Sequence, residues 1–395
     1  MTHRISQIPE GLAGRVRHAF AENFAAGREV GAAVSVWRDG REEAGDCGGY
    51  RDAEGRLAWD HDTIALIWSA TKGMASACAL RALEEAGVGL ETPVAVLWPE
   101  FARKGKGRIT LAEVLSHQAG LGALDRTDLS MLDHEAVVRA VEDQEPFAEA
   151  VGGPGYGPRT FGFIVDEVVR RLDGGTPLGR YWRREFGEPL GLDLWIGLPG
   201  DRHSRAATML PPRAGPASAH PAFSEAMSRP GSLTRKAFSS PGGLLGVTAM
   251  NAASARSAAI PSMGGIGSAS ALAKFYAMLA AGGAWGGRAF LGPAAREWML
   301  TPLSQGFDQV LRAEMAFSAG FMMDPVAQDG TKVRELFGPS TRAFGHPGAG
   351  GSLGFADPDT GLGFAYVMNQ MEPGVLPGVR AKRLVESVYS CGAAA

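Results

Sequence analysis

The stretch "IWSATKGMASA", residues 67–77, places a serine three residues before a lysine at the predicted start of a helix. Ser69 ends an apolar, strand-like run, and the residues after it are rich in helix formers up to Gly87, a glycine C-cap. Residues three apart on a helix share one face. The stretch therefore predicts a strand-to-helix junction at which Ser69 and Lys72 face each other in the first turn.

This pair has a chemical and a structural interpretation. A serine hydroxyl is a poor nucleophile near neutral pH and needs a neighbouring base. Lys72 can be that base if burial or nearby positive charge lowers its pKa, and the positive end of the helix dipole acts in the same direction. The alternative is an N-cap serine beside a solvated lysine, since a Ser-x-x-Lys pair arises by chance roughly once in a chain of this length.

The rest of the chain divides into segments with different patterns. Helical spacing at residues 9–26 precedes a buried strand in 31–40, and residues 109–190 are mainly helical. Short apolar runs separated by turn residues over 314–369 predict antiparallel strands, followed by a last helix at about 376–390.

These segments predict an α/β (α+β) fold with one antiparallel sheet, in which N-terminal strands pair with C-terminal strands between N- and C-terminal helices. Residues 1–65 and 262–395 would form the sheet domain, and 66–261 an inserted, mainly helical domain. Within the insert, residues from about 199 to 261 are crowded with Pro, Gly, Ser and Ala, which is typical of a lid or a mobile loop. The cleft between the two parts is the default active site.

Composition narrows the possible partners. The chain has 395 residues and a net charge of −3 without a basic stripe, so neither nucleic acid nor an anionic membrane is expected as a partner. The N-terminus lacks a secretory pattern and no apolar run could span a bilayer, which predicts a cytoplasmic protein. Cys47, Cys78 and Cys391 fit no metal spacing and suit reduced thiols, with Cys78 in the core. The sequence leaves the oligomeric state open.

Two further motifs could contribute to the chemistry. In "GGPGYGPRTFG", residues 152–162, Tyr156 follows a Gly/Pro-rich turn, and its phenol could either relay a proton or pack beneath a loop. In "FGHPGAGGSLGFADP", residues 344–358, glycines such as Gly348 would let a ligand approach the strand backbone, although a plain glycine-rich hairpin is the alternative.

Taken in order, the motifs resemble those of the serine β-lactamase and penicillin-binding-protein superfamily. "SATK" at 69–72 is the Ser-x-x-Lys motif, "YGP" at 156–158 stands where the family has Tyr-x-Asn, and "HPG" at 346–348 stands where it has Lys-Thr-Gly. "VLSHQAGL" at 114–121 resembles the family's Leu-Thr-His-x-Ser-Gly-Leu segment, and "GFADPDTGLGFAYVMN" at 354–369 resembles its last hairpin. The resemblance covers nearly the whole chain.

A histidine in place of the triplet lysine resembles the class C-like esterases, or family VIII carboxylesterases. Pro158 replaces the usual Asn or Ser, so the side-chain amide that would hold a substrate amide is missing. His346 is mostly neutral near pH 7 when unperturbed, which weakens the fixed cation that grips a penicillin carboxylate. Both departures point away from β-lactams and peptidoglycan, and lactam binding should improve as the pH drops through the titration of this histidine.

The resemblance implies a serine carboxylesterase that cleaves small to medium carboxylic esters through an acyl-enzyme on Ser69, without a metal or organic cofactor. Lys72 and Tyr156 would share the role of general base, and their order is open. The backbone N–H groups of Ser69 and Ala349 would hold the oxyanion, and His346 would line the substrate site.

Three alternatives share the scaffold. A β-lactamase or a D-amino peptidase/transacylase would use the same residues, but the usual substrates of the first two lie outside the inner membrane, which a cytoplasmic chain does not meet. A catalytically idle binding or scaffold protein is the non-enzymatic alternative. The presence of Ser69, Lys72 and Tyr156 together argues against it, because a retired site has no physical reason to keep all three.

Overall fold

An eight-stranded antiparallel sheet forms the largest layer of the computed structural model, which describes residues 11–213 and 220–390. Its strand order is β2-β1-β13-β12-β11-β10-β9-β8, and a smaller sheet has the order β3-β5-β4. The strands are β1 (Gly31–Arg38), β2 (Arg41–Gly49), β3 (Ala65–Trp68), β4 (Leu194–Ile196), β5 (Gly265–Gly267), β6 (Ala284–Trp285), β7 (Arg288–Ala289), β8 (Ser304–Phe307), β9 (Glu314–Phe317), β10 (Met322–Met323), β11 (Phe344–Pro347), β12 (Leu353–Asp357) and β13 (Leu362–Met368).

Helices cover the sheet, and most of the secondary structure between residues 70 and 260 is helical. The α-helices are α1 (Leu12–Ala25), α2 (Thr71–Glu85), α3 (Val94–Leu97), α4 (Leu111–Leu115), α5 (His134–Asp143), α6 (Phe161–Leu172), α7 (Leu178–Trp182), α8 (Pro221–Ser228), α9 (Leu233–Ser239), α10 (Val247–Met250), α11 (Ala253–Ser257), α12 (Ala269–Ala280), α13 (Pro293–Leu300) and α14 (Val379–Tyr389).

The two ends of the chain meet in the large sheet. Strand β1 pairs antiparallel with β13 over its length, from Ala32 opposite Met368 to Arg38 opposite Leu362. Helix α1 packs against α14 and β2, and α12 packs against β1, β12 and β13. The close approach of α12 requires Gly363, where a Cβ would lie 2.2 Å from a main-chain oxygen of that helix. The predicted α/β class and the pairing of N- and C-terminal strands are confirmed.

The segment expected as a long loop folds differently over much of its length. Helices α8 to α11 lie between residues 221 and 257, and residues 214–219 are outside the described part of the chain. Pro221 opens α8, and the Ser232 side chain caps the start of α9. These helices have eight residues or fewer, too short for a 3.6-residue period to stand out in such a composition. The predicted domain boundaries stay a prediction.

Within residues 11–213 and 220–390, no helix combines the length and apolar character needed to cross a bilayer. Cys78 is buried in α2, as expected of a core thiol, and Cys47 is half-buried. Neither forms a disulfide bond within the described residues. Cys391 lies outside the described residues.

Candidate active site

Ser69 lies in the turn between β3 and α2. Trp68, the residue before it, has a φ of 50°, in the left-handed region that non-glycine residues rarely adopt. This backbone turns the chain sharply from the strand into the helix. The N-cap of α2 is Ala70, and no side chain caps the helix. The interpretation of Ser69 as an N-cap is therefore wrong.

Lys72 is fully buried, with 0% of its surface exposed. Its Nζ lies 3.3 Å from Ser69 Oγ, and it donates to the carbonyl oxygens of Pro158 at 3.0 Å and Ser262 at 2.8 Å. Burial lowers the pKa of Lys72 well below its usual range. The solvated lysine of the alternative interpretation is also wrong.

The three partners of Lys72 define what its amine can do. Carbonyl oxygens only accept hydrogen bonds, so two N–H groups are committed to Pro158 and Ser262. A neutral amine has two N–H groups and one lone pair, and the remaining direction leads to Ser69 Oγ. The lone pair of a neutral Lys72 can therefore accept the hydroxyl proton of Ser69, which is the geometry of a general base.

Tyr156 is packed beside Lys72 and Ser69. It is 4% exposed, and its ring lies 4.9 Å from Lys72 Nζ. Burial raises the pKa of Tyr156 above its ordinary value, and the nearby Ser69 side chain opposes part of that increase. The phenol thus stays protonated and is a proton donor at neutral pH.

His346, on β11, packs beside Tyr156 with 5.9 Å between the ring centroids. Burial, reinforced by Lys72, lowers the pKa of His346 to about 3. Nδ1 lies 2.7 Å from the carbonyl oxygen of Pro347, which only accepts, so Nδ1 carries the proton. The buried Nε2 is then an acceptor, and no protein group in the described residues bonds to it. The expected titration of His346 near neutral pH is therefore wrong, because desolvation disfavours its cation.

The end of β11 lies against the end of β3. A Cβ on Gly348 would lie 2.2 Å from the carbonyl oxygen of Ile67, and Ser352 Oγ donates to the same oxygen at 2.8 Å. This contact brings the turn that begins at Ala349 next to the junction that carries Ser69. The main-chain N–H groups of Ser69 and Ala349 donate to no other described residue. Two such free donors beside a serine hydroxyl could form an oxyanion hole.

Three residues of the site were not identified from the sequence. The carbonyl of Ser262, which accepts a hydrogen bond from Lys72, follows directly after the segment expected as a loop. No sequence motif surrounds Ser262, so nothing in the sequence indicated this role. The carbonyl of Pro158 holds Lys72, although the sequence indicated only a lost side-chain amide there. His117 packs on Tyr156 with ring centroids 4.9 Å apart. The motif "VLSHQAGL", which contains His117, could have indicated it.

No group of three or more His, Cys, Asp or Glu side chains is placed to hold a metal ion in the part of the chain that the structure describes. The site described above consists of one hydroxyl, one amine, one phenol, two imidazoles and main-chain groups. Such a set suits acyl transfer through a serine nucleophile.

Comparisons with known proteins agree with this geometry. The family model described as Beta-lactamase matches residues 16–388. "Esterase/beta-lactamase LipL" of Mycobacterium tuberculosis is 32% identical over 367 residues, which are 90% of this chain and 81% of that protein.

Solved structures extend the agreement to the fold. The crystal structure of a family VIII carboxylesterase is 33% identical with a TM-score of 0.85, covering 98% of this chain and 99% of that one. A penicillin-binding-protein homologue from Caulobacter crescentus is 36% identical with a TM-score of 0.83, covering 97% of this chain and 98% of that one. The resemblance inferred from the motifs is confirmed, and the chain belongs to the beta-lactamase family.

Proposed function

We propose that the protein is a serine carboxylesterase that cleaves small to medium, uncharged carboxylic esters through an acyl-enzyme on Ser69. The observation that carries the proposal is the buried Lys72 amine, which is bonded to two carbonyl oxygens and to the Ser69 hydroxyl. A lysine so placed is a base near neutral pH without the help of a carboxylate.

In the first half of the reaction, Ser69 Oγ attacks the ester carbonyl while Lys72 takes the hydroxyl proton. The N–H groups of Ser69 and Ala349 stabilise the oxyanion, and such donors contribute about 3 to 4 kcal/mol each to lowering the barrier. Tyr156 gives its proton to the leaving alcohol and is reprotonated from Lys72. In the second half, water attacks the acyl carbon, and the same groups move the proton in reverse.

The charges around the serine favour an ester over a β-lactam antibiotic. The pKa of Lys72 is lowered by burial, and His346 and His117 are held neutral by burial as well. A carboxylate on the substrate would therefore meet no fixed cation among these groups. An uncharged ester has no carboxylate to anchor, so it needs none.

A β-lactamase activity is the second candidate, because the relative from Mycobacterium tuberculosis carries both activities in its name. That activity would share the nucleophile and the base. On the electrostatic argument above, it should be the slower of the two in this protein.

Turnover of a panel of p-nitrophenyl esters, measured beside nitrocefin, tests the proposal. We expect ester hydrolysis with slow or absent nitrocefin hydrolysis, and a fluorophosphonate should add its mass to the peptide that contains Ser69. Ser69→Ala should accept no label. Nitrocefin turnover faster than that of every ester would favour the β-lactamase, and labelling at another residue would refute the assignment of Ser69.

A further inference from the structure

Three consecutive main-chain N–H groups around the catalytic phenol are held by two residues from other elements. Gly155 N–H donates to the carbonyl oxygen of His117 at 2.8 Å, and Gly157 N–H donates to His117 Nδ1 at 3.2 Å. Tyr156 N–H donates to Asp308 Oδ2 at 3.0 Å. We propose that His117 and Asp308, the Tyr156 clamp, are positioning residues that set the phenol against Ser69.

His117 is itself rigidly held. It follows α4 with a φ of 62°, and its ring packs against Phe161 and Phe317, with centroids 4.8 Å away in each case. Because Nδ1 accepts from an N–H group, the imidazole is neutral with its proton on Nε2. Burial, with Lys72 adding to it, lowers the pKa of His117 well below its usual range, so this acceptor persists.

Asp308 divides its two oxygens between two tasks. Oδ1 accepts from the N–H groups of Val310 at 2.8 Å and Leu311 at 2.7 Å, which fixes the local turn. Oδ2 accepts from Tyr156 N–H. The side chain is fully buried, with 0% exposed. Stabilising its own turn requires only Oδ1, so the second oxygen is available to hold the tyrosine segment.

The tyrosine segment needs an external support. Pro154, Gly155, Gly157 and Pro158 flank Tyr156, so the neighbouring side chains offer no hydrogen bond of their own. Proton transfer requires heavy atoms about 2.6–3.2 Å apart. A displacement of 1 Å can cost about 100-fold in rate. The inference rests on the proposed function and gives a role to the histidine of "VLSHQAGL".

Two variants of His117 separate a positioning role from a general structural one. In His117→Asn, the amide oxygen takes the place of Nδ1, and asparagine tolerates a positive φ. In His117→Gln, the side chain keeps its reach but loses the acceptor at the δ position. We expect His117→Gln to lower kcat on p-nitrophenyl esters about 10- to 100-fold with little change in KM, and His117→Asn to stay within about threefold of the native kcat.

Asp308→Asn tests the second arm of the clamp. The amide oxygen keeps the two bonds to Val310 and Leu311, which leaves an NH₂ group facing Tyr156 N–H, where no hydrogen bond can form. kcat should fall as in His117→Gln. Asp52→Asn is the matched control, because Asp52 accepts N–H groups of its own turn, from Arg56 and Leu57. It should leave kcat unchanged.

All kcat values are divided by the amount of Ser69 that a fluorophosphonate titrates, so misfolded protein does not count. A purely structural role would lower the thermal midpoint and the titrated fraction but leave kcat per titrated site unchanged, and that result would overturn the clamp. Equal losses in His117→Asn and His117→Gln would also overturn it, since the acceptor would then be irrelevant.

A native protein that hydrolyses no ester would contradict the proposed function but not the clamp. In that case the rate of fluorophosphonate labelling at Ser69 is compared. The clamp predicts slower labelling in His117→Gln than in His117→Asn, and equal rates would contradict it.

Discussion

Two fully buried lysines, Lys72 and Lys106, have different surroundings although each is 0% exposed. Lys72 donates to two main-chain carbonyl oxygens and faces the hydroxyl of Ser69. Lys106 donates only to main-chain carbonyl oxygens, at 2.6–2.8 Å, those of Arg103, Glu142 and Gln144.

Each lysine amine has three hydrogen-bond partners, and the third one decides whether the amine is protonated. Three carbonyl acceptors use all three N–H groups of an ammonium, so the cage of Lys106 favours the cation. Burial lowers the pKa of Lys106 to about 8, and the Asp143 and Glu142 carboxylates oppose that decrease. Burial lowers the pKa of Lys72 well below its usual range, and no carboxylate in the described residues opposes that decrease. Burial alone therefore does not make a base, since the partner at the third position selects the amine or the ammonium.

The largest expected effect comes from replacing each lysine with methionine. Lys72→Met should lower kcat on p-nitrophenyl esters about 10³-fold, because the general base is lost. Lys106→Met should keep kcat close to the native value but lose about 2 kcal/mol of unfolding free energy, because three buried carbonyls lose their partner. Steady-state kinetics and denaturant unfolding of both variants measure this contrast. A large loss of kcat in Lys106→Met would break the distinction.

The next effect tests whether Lys72 acts with its neighbours as a unit. Lys72→Ala combined with Tyr156→Phe should be little worse than either single change, because each already breaks the proton path from Ser69. The double-mutant cycle is measured on kcat with a p-nitrophenyl ester. Losses that multiply would indicate that the two side chains act independently.

The dependence of kcat/KM on pH also distinguishes Lys72 from Lys106. kcat/KM should rise with pH as the Lys72 ammonium loses its proton, with a midpoint well below the usual lysine range because burial lowers its pKa. It should not decline below about pH 10, the ordinary tyrosine pKa, because burial raises the pKa of Tyr156. The pKa of Lys106 is lowered to about 8, and its three bonds go to groups that do not touch Ser69, so Lys106→Met should leave this pH profile unchanged. A profile shifted in Lys106→Met would contradict its structural role.

The smallest effect is expected when a further lysine is introduced at position 346. His346→Lys should lower KM for anionic β-lactams by about tenfold, because a charge-assisted hydrogen bond is roughly twice as strong as a neutral one. Within the described residues, the side chain at position 346 bonds to one carbonyl oxygen, that of Pro347, rather than to three, so binding by the variant should strengthen as the pH falls and the amine gains a proton. Equilibrium binding measures this. The native protein should show no such change near neutral pH, because the pKa of His346 is about 3.

Much of the fold was predictable because strands and turns leave local patterns in the sequence. Short apolar runs and turn residues predicted β1 and β11 to β13, and the antiparallel pairing of β11 to β13 follows from their short connections. The short helices between residues 221 and 257 were missed because a few turns carry too little periodicity to be recognised.

By itself, the sequence determined the order of the motifs and the spacing of three residues that brings Lys72 next to Ser69, since one helical turn returns to the same side. Only the tertiary structure decided the protonation states. The carbonyl of Ser262 reaches Lys72 across 190 residues of chain, and the proton of His346 is assigned by the oxygen beside its Nδ1. Desolvation and hydrogen-bond partners set a pKa, and both arise from segments that become neighbours only when the chain folds.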